Sequence, residues 1–177
     1  MQYIDHYHSP LGNILLAADD TGLTGLWFEG QKYFARHLDD THQEKETPVL
    51  KKAKSWLDVY FTGQEPGFAV PLHFVGTAFQ KEVWKLLCAV PYGKTTTYKA
   101  LAQQLAAEKG LAHMSAQAVG GAVGRNKISV IVPCHRVVGV NGSLTGYAGG
   151  TDKKLKLLAL EKADTKQFFI PQKGTAL

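Results

Sequence analysis

The chain has 177 residues, of which 45% are hydrophobic and 20% are charged, the composition of a globular protein with one domain or two small ones. It contains no run of eighteen apolar residues, and its first residues lack the basic and apolar regions of a signal peptide, so we expect a cytosolic protein without a membrane segment. Two cysteines, no CxxC pair and scattered histidines predict neither a disulfide framework nor a metal site.

The charge is divided unevenly along the chain. Residues 1–75 contain six Lys and Arg against ten Asp and Glu, a net charge of −4, whereas residues 76–177 contain fourteen against five, a net charge of +9. Lys and Arg gain affinity for nucleic acids by displacing counterions that condense on phosphates. The C-terminal part is therefore either a nucleic-acid-binding unit or a solvated basic face.

The N-terminal part predicts a small unit of strands and one helix. Alternating segments at residues 13–17 and 23–28 flank a turn at residues 19–22 and predict a β-hairpin. A helix ending before Gly63 is predicted by apolar residues at three- and four-residue spacing, namely Leu50, Ala53, Trp56, Leu57, Tyr60 and Phe61. Residues 63–76 are expected to be a linker.

The basic part predicts mainly helices. Thr77 is a good N-cap for a helix that stops before Pro91. A helix beginning near Tyr98 and a second helix at residues 116–124 then form a helix-turn-helix pattern. A last helix is predicted to begin near Thr151.

Adjacent glycines occur inside the second helix of the helix-turn-helix, which Ser115 is placed to cap. Gly120 and Gly121 each cost a helix roughly 1 kcal/mol relative to alanine, so something should offset the loss. They predict close approach of either a nucleic-acid groove or a neighbouring helix.

One segment stands out because an apolar run ends in a cysteine that is followed by histidine and arginine. Residues 128–132, rich in β-branched side chains, are predicted to form a short buried strand that stops at Pro133 and leaves Cys134 at its exit. The thiolate is the nucleophile, and an ordinary thiol with a pKa of ~8.5 is only slightly ionised at neutral pH. His135 and Arg136 are suited to activate it, provided that the backbone turns at Pro133 or water links the groups.

The same residues have simpler interpretations. Cys134 is alternatively a small core residue, which is also our prediction for Cys88 on its apolar helix. Glu161 faces the negative end of the last helix dipole, an unfavourable place for a carboxylate. It either orients His135 in a Cys-His-Glu arrangement or is a solvated residue among lysines.

Several motifs near the cysteine occur together in one known family. They are Pro133-Cys134-His135-Arg136, the preceding segment 118–122 with Asn126, and the following Tyr147 and Gly149-Gly150. In this combination the chain resembles the O6-alkylguanine-DNA alkyltransferases, the bacterial type of methylated-DNA–protein-cysteine methyltransferase. The resemblance covers roughly residues 75–162.

The resemblance implies an α+β fold. It implies an N-terminal ribonuclease H-like α/β domain at residues 1–75 and a mostly helical, winged-helix-like domain with the helix-turn-helix at residues 76–165. Residues 166–177 are left as a tail without an assignment, in which Phe168, Phe169 and Ile170 either pack or fray. No cofactor is implied.

The resemblance further implies DNA repair by irreversible, stoichiometric transfer of an alkyl group from O6-alkylguanine to Cys134, with the base flipped into the site. Glu161 would hold His135, which would take the thiol proton through water. Tyr98 would donate a proton toward N3 of the leaving guanine, and Asn126 would brace the active-site turn.

The implied partner is double-stranded DNA, bound in the minor groove without sequence preference by a monomer; clustering of proteins along DNA is left open. Expected contact residues are Ser115, Gln117, Ala118, Gly120, Gly121, Arg125, Arg136, Tyr147 and Ala148. Gln117 stands where the family often has an arginine that fills the gap left by the flipped base, so we expect weaker DNA affinity than in an arginine-bearing relative. Lys127 stands where a proline is common.

Three other functions compete. A helix-turn-helix regulator accounts for the basic helices but leaves Cys134, His135 and Glu161 without a role. A thiol hydrolase would use the same three residues over many turnovers. An alkyltransferase-like protein would bind the lesion without repairing it, but such proteins lack the cysteine that is present here.

Overall fold

The computed structural model describes residues 1–171 and divides the chain into two units. The first unit contains residues 1–75 together with Lys127–Ser129, and the second contains Gly76–Asn126 and the chain from Val130 onward. The first unit therefore includes three residues from the middle of the basic half. No helix in this described part of the chain is long and apolar enough to cross a membrane.

The first unit is built on a sheet with strand order β3-β2-β1-β4. Its strands are β1 (Tyr3–Ser9), β2 (Gly12–Ala18), β3 (Leu23–Phe28) and β4 (Gln43–Glu44). The first three pair antiparallel, whereas β4 pairs parallel with β1. The predicted hairpin is confirmed as β2 and β3, and the Asp19 carboxylate fixes its turn by accepting the N–H groups of Thr21 and Gly22.

Helix α1 (Pro48–Tyr60) confirms the predicted helix of the first unit. Thr47 caps it by accepting the N–H of Leu50, and the residues of its buried face are Leu50, Ala53, Leu57 and Tyr60. The spacing of the apolar residues predicted this helix correctly because it places their side chains on one side of the helix.

The segment predicted as a linker belongs partly to this unit. Leu23 donates its N–H to the carbonyl of Pro71, and His73 donates to the carbonyl of Leu23, both at 2.8 Å. A Cβ atom on Gly22 would lie 2.8 Å from the Pro71 oxygen, so this approach requires glycine. The linker prediction is wrong for this stretch, because its backbone pairs with the edge of β3.

The second unit contains helices α2 (Ala78–Cys88), α3 (Tyr98–Glu108), α4 (Ala116–Gly124) and α5 (Thr151–Leu160). All were predicted. A capping box between Thr77 and Gln80 opens α2, and Ser115 caps α4 by accepting the N–H of Ala118. Two short parallel strands that the sequence did not predict, β5 (Thr96–Thr97) and β6 (Val137–Val138), pair beside them.

The predicted strand at residues 128–132 is wrong. Leu26 of β3 donates to the carbonyl of Lys127 and accepts the N–H of Ser129, so the pairing extends over a single bridge. Val130 then adopts a φ of 71°, which breaks an extended conformation. Ile128, Val130 and Val132 are buried without a strand, and Ile131 is partly buried. The Lys127 ammonium donates to the carbonyl of Val75 within the first unit.

Candidate active site

Cys134 lies on a tight backbone turn. Pro133 has φ −83° and ψ 62°, the values of an inverse γ-turn, and the N–H of Cys134 donates to the carbonyl of Val132 across it at 2.8 Å. Cys134–Arg136 then form one turn of 3₁₀ helix. The backbone therefore turns at Pro133, which is one of the two conditions under which the sequence allowed Cys134 and His135 to cooperate.

Asn126 connects the end of α4 to the cysteine turn. It is buried, and its Nδ2 donates to the carbonyl of Val132 at 3.0 Å, the same oxygen that accepts the N–H of Cys134. A hydrogen bond between the Asn126 side chain and the Cys134 thiol also acts to lower the pKa of that thiol. This geometry suits the predicted bracing role of Asn126.

His135 and Glu161 form a buried pair at the C-terminal end of α5. His135 Nε2 lies 2.5 Å from Glu161 Oε2, and both side chains are fully buried. The other carboxylate oxygen accepts Arg136 Nε at 2.8 Å and the N–H of Gly93 at 3.1 Å. The interpretation of Glu161 as a solvated residue is wrong, because the helix end turns it into the interior.

The protonation states of this pair follow from burial and from their partners. Burial raises the pKa of the Glu161 carboxyl, but the hydrogen bonds from His135 and Arg136 and the charge of Arg136 outweigh it and lower the pKa to about 2. For His135, burial lowers the pKa more than Glu161 raises it, so the imidazole is neutral at pH 7. A neutral ring that donates its Nε2 proton to the carboxylate carries a lone pair on Nδ1, as a base requires.

Arg136 is buried, which argues against the predicted contact with DNA. Its Nη1 donates to the carbonyl of Val90 at 2.7 Å, and its guanidinium lies 5.7 Å from the ring centroid of Tyr92. Together with its bond to Glu161, these contacts direct the side chain into the protein. Arg136 therefore neutralises Glu161, because a buried carboxylate needs a cationic partner.

A buried lysine that sequence reasoning missed lies near the cysteine. Lys154 on α5 is 0% exposed, and its Nζ donates to the carbonyl of Thr145 at 2.8 Å. The hydroxyl of Tyr98 donates to the same carbonyl at 3.1 Å, and Lys154 Nζ lies 5.9 Å from the Tyr98 ring centroid. Burial lowers the pKa of Lys154 to about 8, against the opposing effect of the charge of Cys134.

A signal for Lys154 was present in the sequence. Lys154, Leu157, Leu158 and Glu161 follow the spacing i, i+3, i+4 and i+7, which marks one helix face, and all four are buried. Residue type nevertheless favours solvent for a lysine, and Lys154 is one of the lysines that surround Glu161 in the sequence.

Opposing effects act on the Cys134 thiol. Burial raises its pKa, and the Asn126 hydrogen bond, the charge of Lys154 and the N–H groups of Cys134 and His135 lower it by less, so the pKa of this thiol is raised overall. Burial, and then the charge of Cys134, raise the pKa of Tyr98, which keeps its hydroxyl protonated and able to donate. The site therefore combines a thiol, a neutral imidazole, a buried ammonium group and a protonated phenol.

The predicted contact residues on α4 do not share one side. Gln117, Ala118, Gly121 and Arg125 are exposed, as is the cap Ser115, whereas Gly120 is buried. A Cβ atom built on Gly121 would meet nothing within 4 Å. The contact predicted for Gly120 is wrong, because this glycine faces the interior while its neighbour faces outward.

A groove of about 400 Å³ adjoins the exposed side of α4. Its lining residues are Thr77, Phe79, Gln80, Ala118, Gly121, Ala122 and Arg125. The groove places residues at the start of α2 beside the cationic residue Arg125.

Tyr147 and Ala148, the residues expected to contact the substrate, lie near the pair of His135 and Glu161. The Tyr147 ring is buried, with its centroid 6.5 Å from that of His135 at an interplanar angle of 86°, and Ala148 beside it is partly exposed.

Cys88 is exposed, so its prediction as a core residue is wrong; the neighbouring Leu86 and Leu87 face the core instead. Within residues 1–171 no group of His, Cys, Asp or Glu is arranged to hold a metal ion.

Family profiles match most of the chain. Residues 3–74 match the profile described as 6-O-methylguanine DNA methyltransferase, ribonuclease-like domain. Residues 78–163 match the profile described as 6-O-methylguanine DNA methyltransferase, DNA binding domain. The predicted fold class is confirmed, with strands and a helix in the ribonuclease-like part and mainly helices in the DNA-binding part.

Individual relatives agree with these profiles. Over 161 residues, the chain is 39% identical to the methylated-DNA–protein-cysteine methyltransferase of Haemophilus influenzae, covering 90% of this chain and 86% of the relative. It is 43% identical over 161 residues to that of Methanosarcina barkeri, covering 90% and 97%. The structure of Mycobacterium tuberculosis OGT in complex with DNA is similar with a TM-score of 0.77, at 39% identity over 90% of this chain and 92% of that one. The chain belongs to the 6-O-methylguanine DNA methyltransferase family.

Proposed function

We propose that this protein repairs DNA by transferring the alkyl group of O6-alkylguanine to Cys134 in a single irreversible turnover. The observation that carries the proposal is the buried environment of one sulfur. A hydrogen bond from Asn126 and the charge of Lys154 favour the ionised form of the thiol. His135 follows it in the chain, and its Nε2 is hydrogen-bonded to Glu161. Burial raises the pKa of this thiol, so it needs the neighbouring base and cation in order to react as a thiolate.

Ionisation of the thiol is the first step. The proton of Cys134 passes through water to Nδ1 of His135, and the resulting imidazolium donates from Nε2 to Glu161 in a charge-assisted bond. Arg136 keeps that carboxylate ionised, while Lys154 and Asn126 stabilise the thiolate. Burial keeps the pKa of the thiol above its usual value, so these groups stabilise the thiolate as the proton leaves rather than in the resting protein.

Displacement follows. The thiolate forms a bond to the alkyl carbon as the bond between that carbon and guanine O6 breaks, and the electron pair goes to the base. Tyr98 donates its proton to N3 of the leaving guanine, and the ammonium of Lys154 near its ring compensates the phenolate. The proton held by His135 balances the one given to the base. The product thioether is a poor leaving group, so each molecule acts once.

DNA is the partner, and the exposed side of α4 is the surface that we assign to the minor groove. Small residues there, Ala118 and Gly121, allow a close approach, and the depression beside Arg125 suits a backbone phosphate. Gln117 on the first turn of α4 would enter the space of the flipped base. These contacts carry no base-specific readout, which agrees with a monomer that binds duplex DNA without sequence preference.

The test is intact-protein mass spectrometry after incubation with a duplex that contains one O6-methylguanine. We expect one methyl group on the native chain and none on Cys134→Ser. Cys88→Ser is the matched control, because Cys88 is exposed on α2, and it should take up one methyl group like the native chain. Methylation of Cys134→Ser would refute the assignment of the acceptor, and repeated turnover on an ester substrate would favour a thiol hydrolase instead.

A further inference from the structure

We infer that the segment at residues 164–169, here called the strap, positions the carbonyl of Thr145 and through it the side chains of Lys154 and Tyr98 beside Cys134. The inference rests on the proposed function. It makes the strap a positioning element, since none of its contacts reaches a reacting atom.

The strap is bonded to the turn that precedes Thr145. The N–H of Leu144 donates to the carbonyl of Phe169 at 2.9 Å, and the N–H of Phe169 donates to the carbonyl of Gly142 at 3.1 Å. These two bonds form a parallel bridge between Ser143 and Phe169. The backbone on the N-terminal side of Thr145 is therefore held from outside its own loop.

A side chain of the strap also packs beneath this turn. Phe168 lies against a buried cluster of Val138, Leu144 and Leu158. Val138 belongs to β6, just after the cysteine turn, and Leu158 lies on α5 one turn beyond Lys154. One aromatic ring thus contacts the loop and two of the elements that carry the site.

Gly142 shows how closely the strap approaches. A Cβ atom at this residue would lie 2.1 Å from the carbonyl oxygen of Gln167, and its φ is +87°. No other residue fits there without moving one of the two backbones. The glycine is therefore explained by the strap as well as by its own conformation.

Thr145 transmits the position of the strap to the site. It follows Leu144 directly, and its carbonyl accepts both the Lys154 ammonium and the Tyr98 hydroxyl. A displacement of Leu144 moves this oxygen and with it the cation and the proton donor. Misplacement of catalytic groups by ~1 Å can slow a reaction about 100-fold.

The experiment compares Phe168→Ala with Phe169→Ala, whose ring is exposed and whose backbone bonds are kept. Single-turnover methyl transfer is measured against DNA concentration and pH, together with the rate at which iodoacetamide alkylates Cys134. For Phe168→Ala we expect a maximal rate about 10- to 100-fold lower, an unchanged half-saturating DNA concentration, and a Cys134 titration midpoint moved to higher pH. Phe169→Ala should behave like the native chain, and Phe168→Leu should recover most of the rate.

Gly142→Ala provides a second perturbation, which keeps the Phe168 side chain but forces the strap and the turn apart, and it should lower the maximal rate in the same way. The inference is overturned if both variants keep the native maximal rate and pH profile, even where their thermal stability falls. If the native chain transfers no methyl group, the proposed function fails by itself. Iodoacetamide alkylation needs no DNA, so the titration of Cys134 in the variants still decides the inference.

Discussion

Replacement of Lys154 by methionine is expected to stabilise the protein while making Cys134 less reactive. The side chain is fully buried, and burial lowers the pKa of the ammonium from 10.5 to about 8. At about 1.4 kcal/mol per pKa unit, keeping it charged at pH 7 costs the folded state about 3 kcal/mol relative to the unfolded chain. Methionine removes this cost and loses one hydrogen bond to Thr145, worth about 1–2 kcal/mol. We therefore expect the free energy of unfolding to rise by about 1–2 kcal/mol.

The pH dependence of stability tests the direction of this effect independently. The pKa of Lys154 is lower in the folded state, so between pH 8 and pH 10.5 the unfolded chain binds more protons and the native protein gains stability as the pH rises. The advantage of Lys154→Met is therefore full below pH 8 and disappears toward pH 10.5. Urea denaturation at several pH values measures this difference.

The same substitution should make the Cys134 thiol less reactive. In a Cys88→Ser background, iodoacetamide should alkylate Cys134 of the Lys154→Met variant more slowly at pH 7, with a higher titration midpoint, because the cation beside the thiolate is gone. Lys156→Met is the matched control: this lysine lies on the same helix in an exposed pair with Asp152, and its loss should change stability by less than about 1 kcal/mol. A Lys154→Met variant that is less stable at every pH and reacts at the native rate would refute the reasoning.

Three further predictions concern the carboxylate, the proton donor and the recognition helix. Glu161→Gln should lower the free energy of unfolding by about 3 kcal/mol at pH 7, since it leaves Arg136 buried without its counter-ion, whereas Glu82→Gln in an exposed pair should cost less than about 1 kcal/mol. The pKa of Glu161 is depressed, so this difference should be lost as the pH falls from about 4.5 to about 2, and a difference independent of pH in urea denaturation would contradict the pairing. Tyr98→Phe should slow methyl transfer about 100-fold but leave iodoacetamide alkylation of the cysteine unchanged, because iodide needs no proton on leaving; equal slowing of both reactions would exclude a proton-donor role. Gln117→Arg should tighten DNA binding and increase its salt dependence by about one phosphate contact, and unchanged affinity and repair rate in a salt titration would count against a role for this residue in the base stack.

Local patterns were sufficient for the helices. Caps such as Thr77 and Ser115 and the spacing of apolar residues act within one or two turns, so α2 and α4 could be predicted from short windows. The same holds for the hairpin of β2 and β3, whose turn is fixed by Asp19. These predictions are confirmed because neighbouring residues determine the outcome.

Residue chemistry pointed to part of the site. Cys134, His135 and Glu161 were singled out because a thiol beside basic residues and a carboxylate at a helix C-terminus are unusual without a purpose. Helical periodicity also indicates that Lys154 is buried, but lysine is so rarely buried that its residue type favours an exposed position. Arg136 was expected to contact DNA because the family resemblance implied it, and the residues around it suggested only that it could activate the thiol.

The chain alone thus determined where helices begin and end and which groups have the chemistry for alkyl transfer, because these properties belong to a residue and its near neighbours. Tertiary structure alone decided that residues 128–132 form no strand, that Arg136 turns inward to Glu161, and that the pKa of Lys154 is lowered near Cys134. Burial and partners set these outcomes, and the partners come from distant parts of the chain: Glu161 lies 26 residues from His135. Desolvation and pairing over such separations set the pKa of a group, and the residues next to it in the chain do not fix that value.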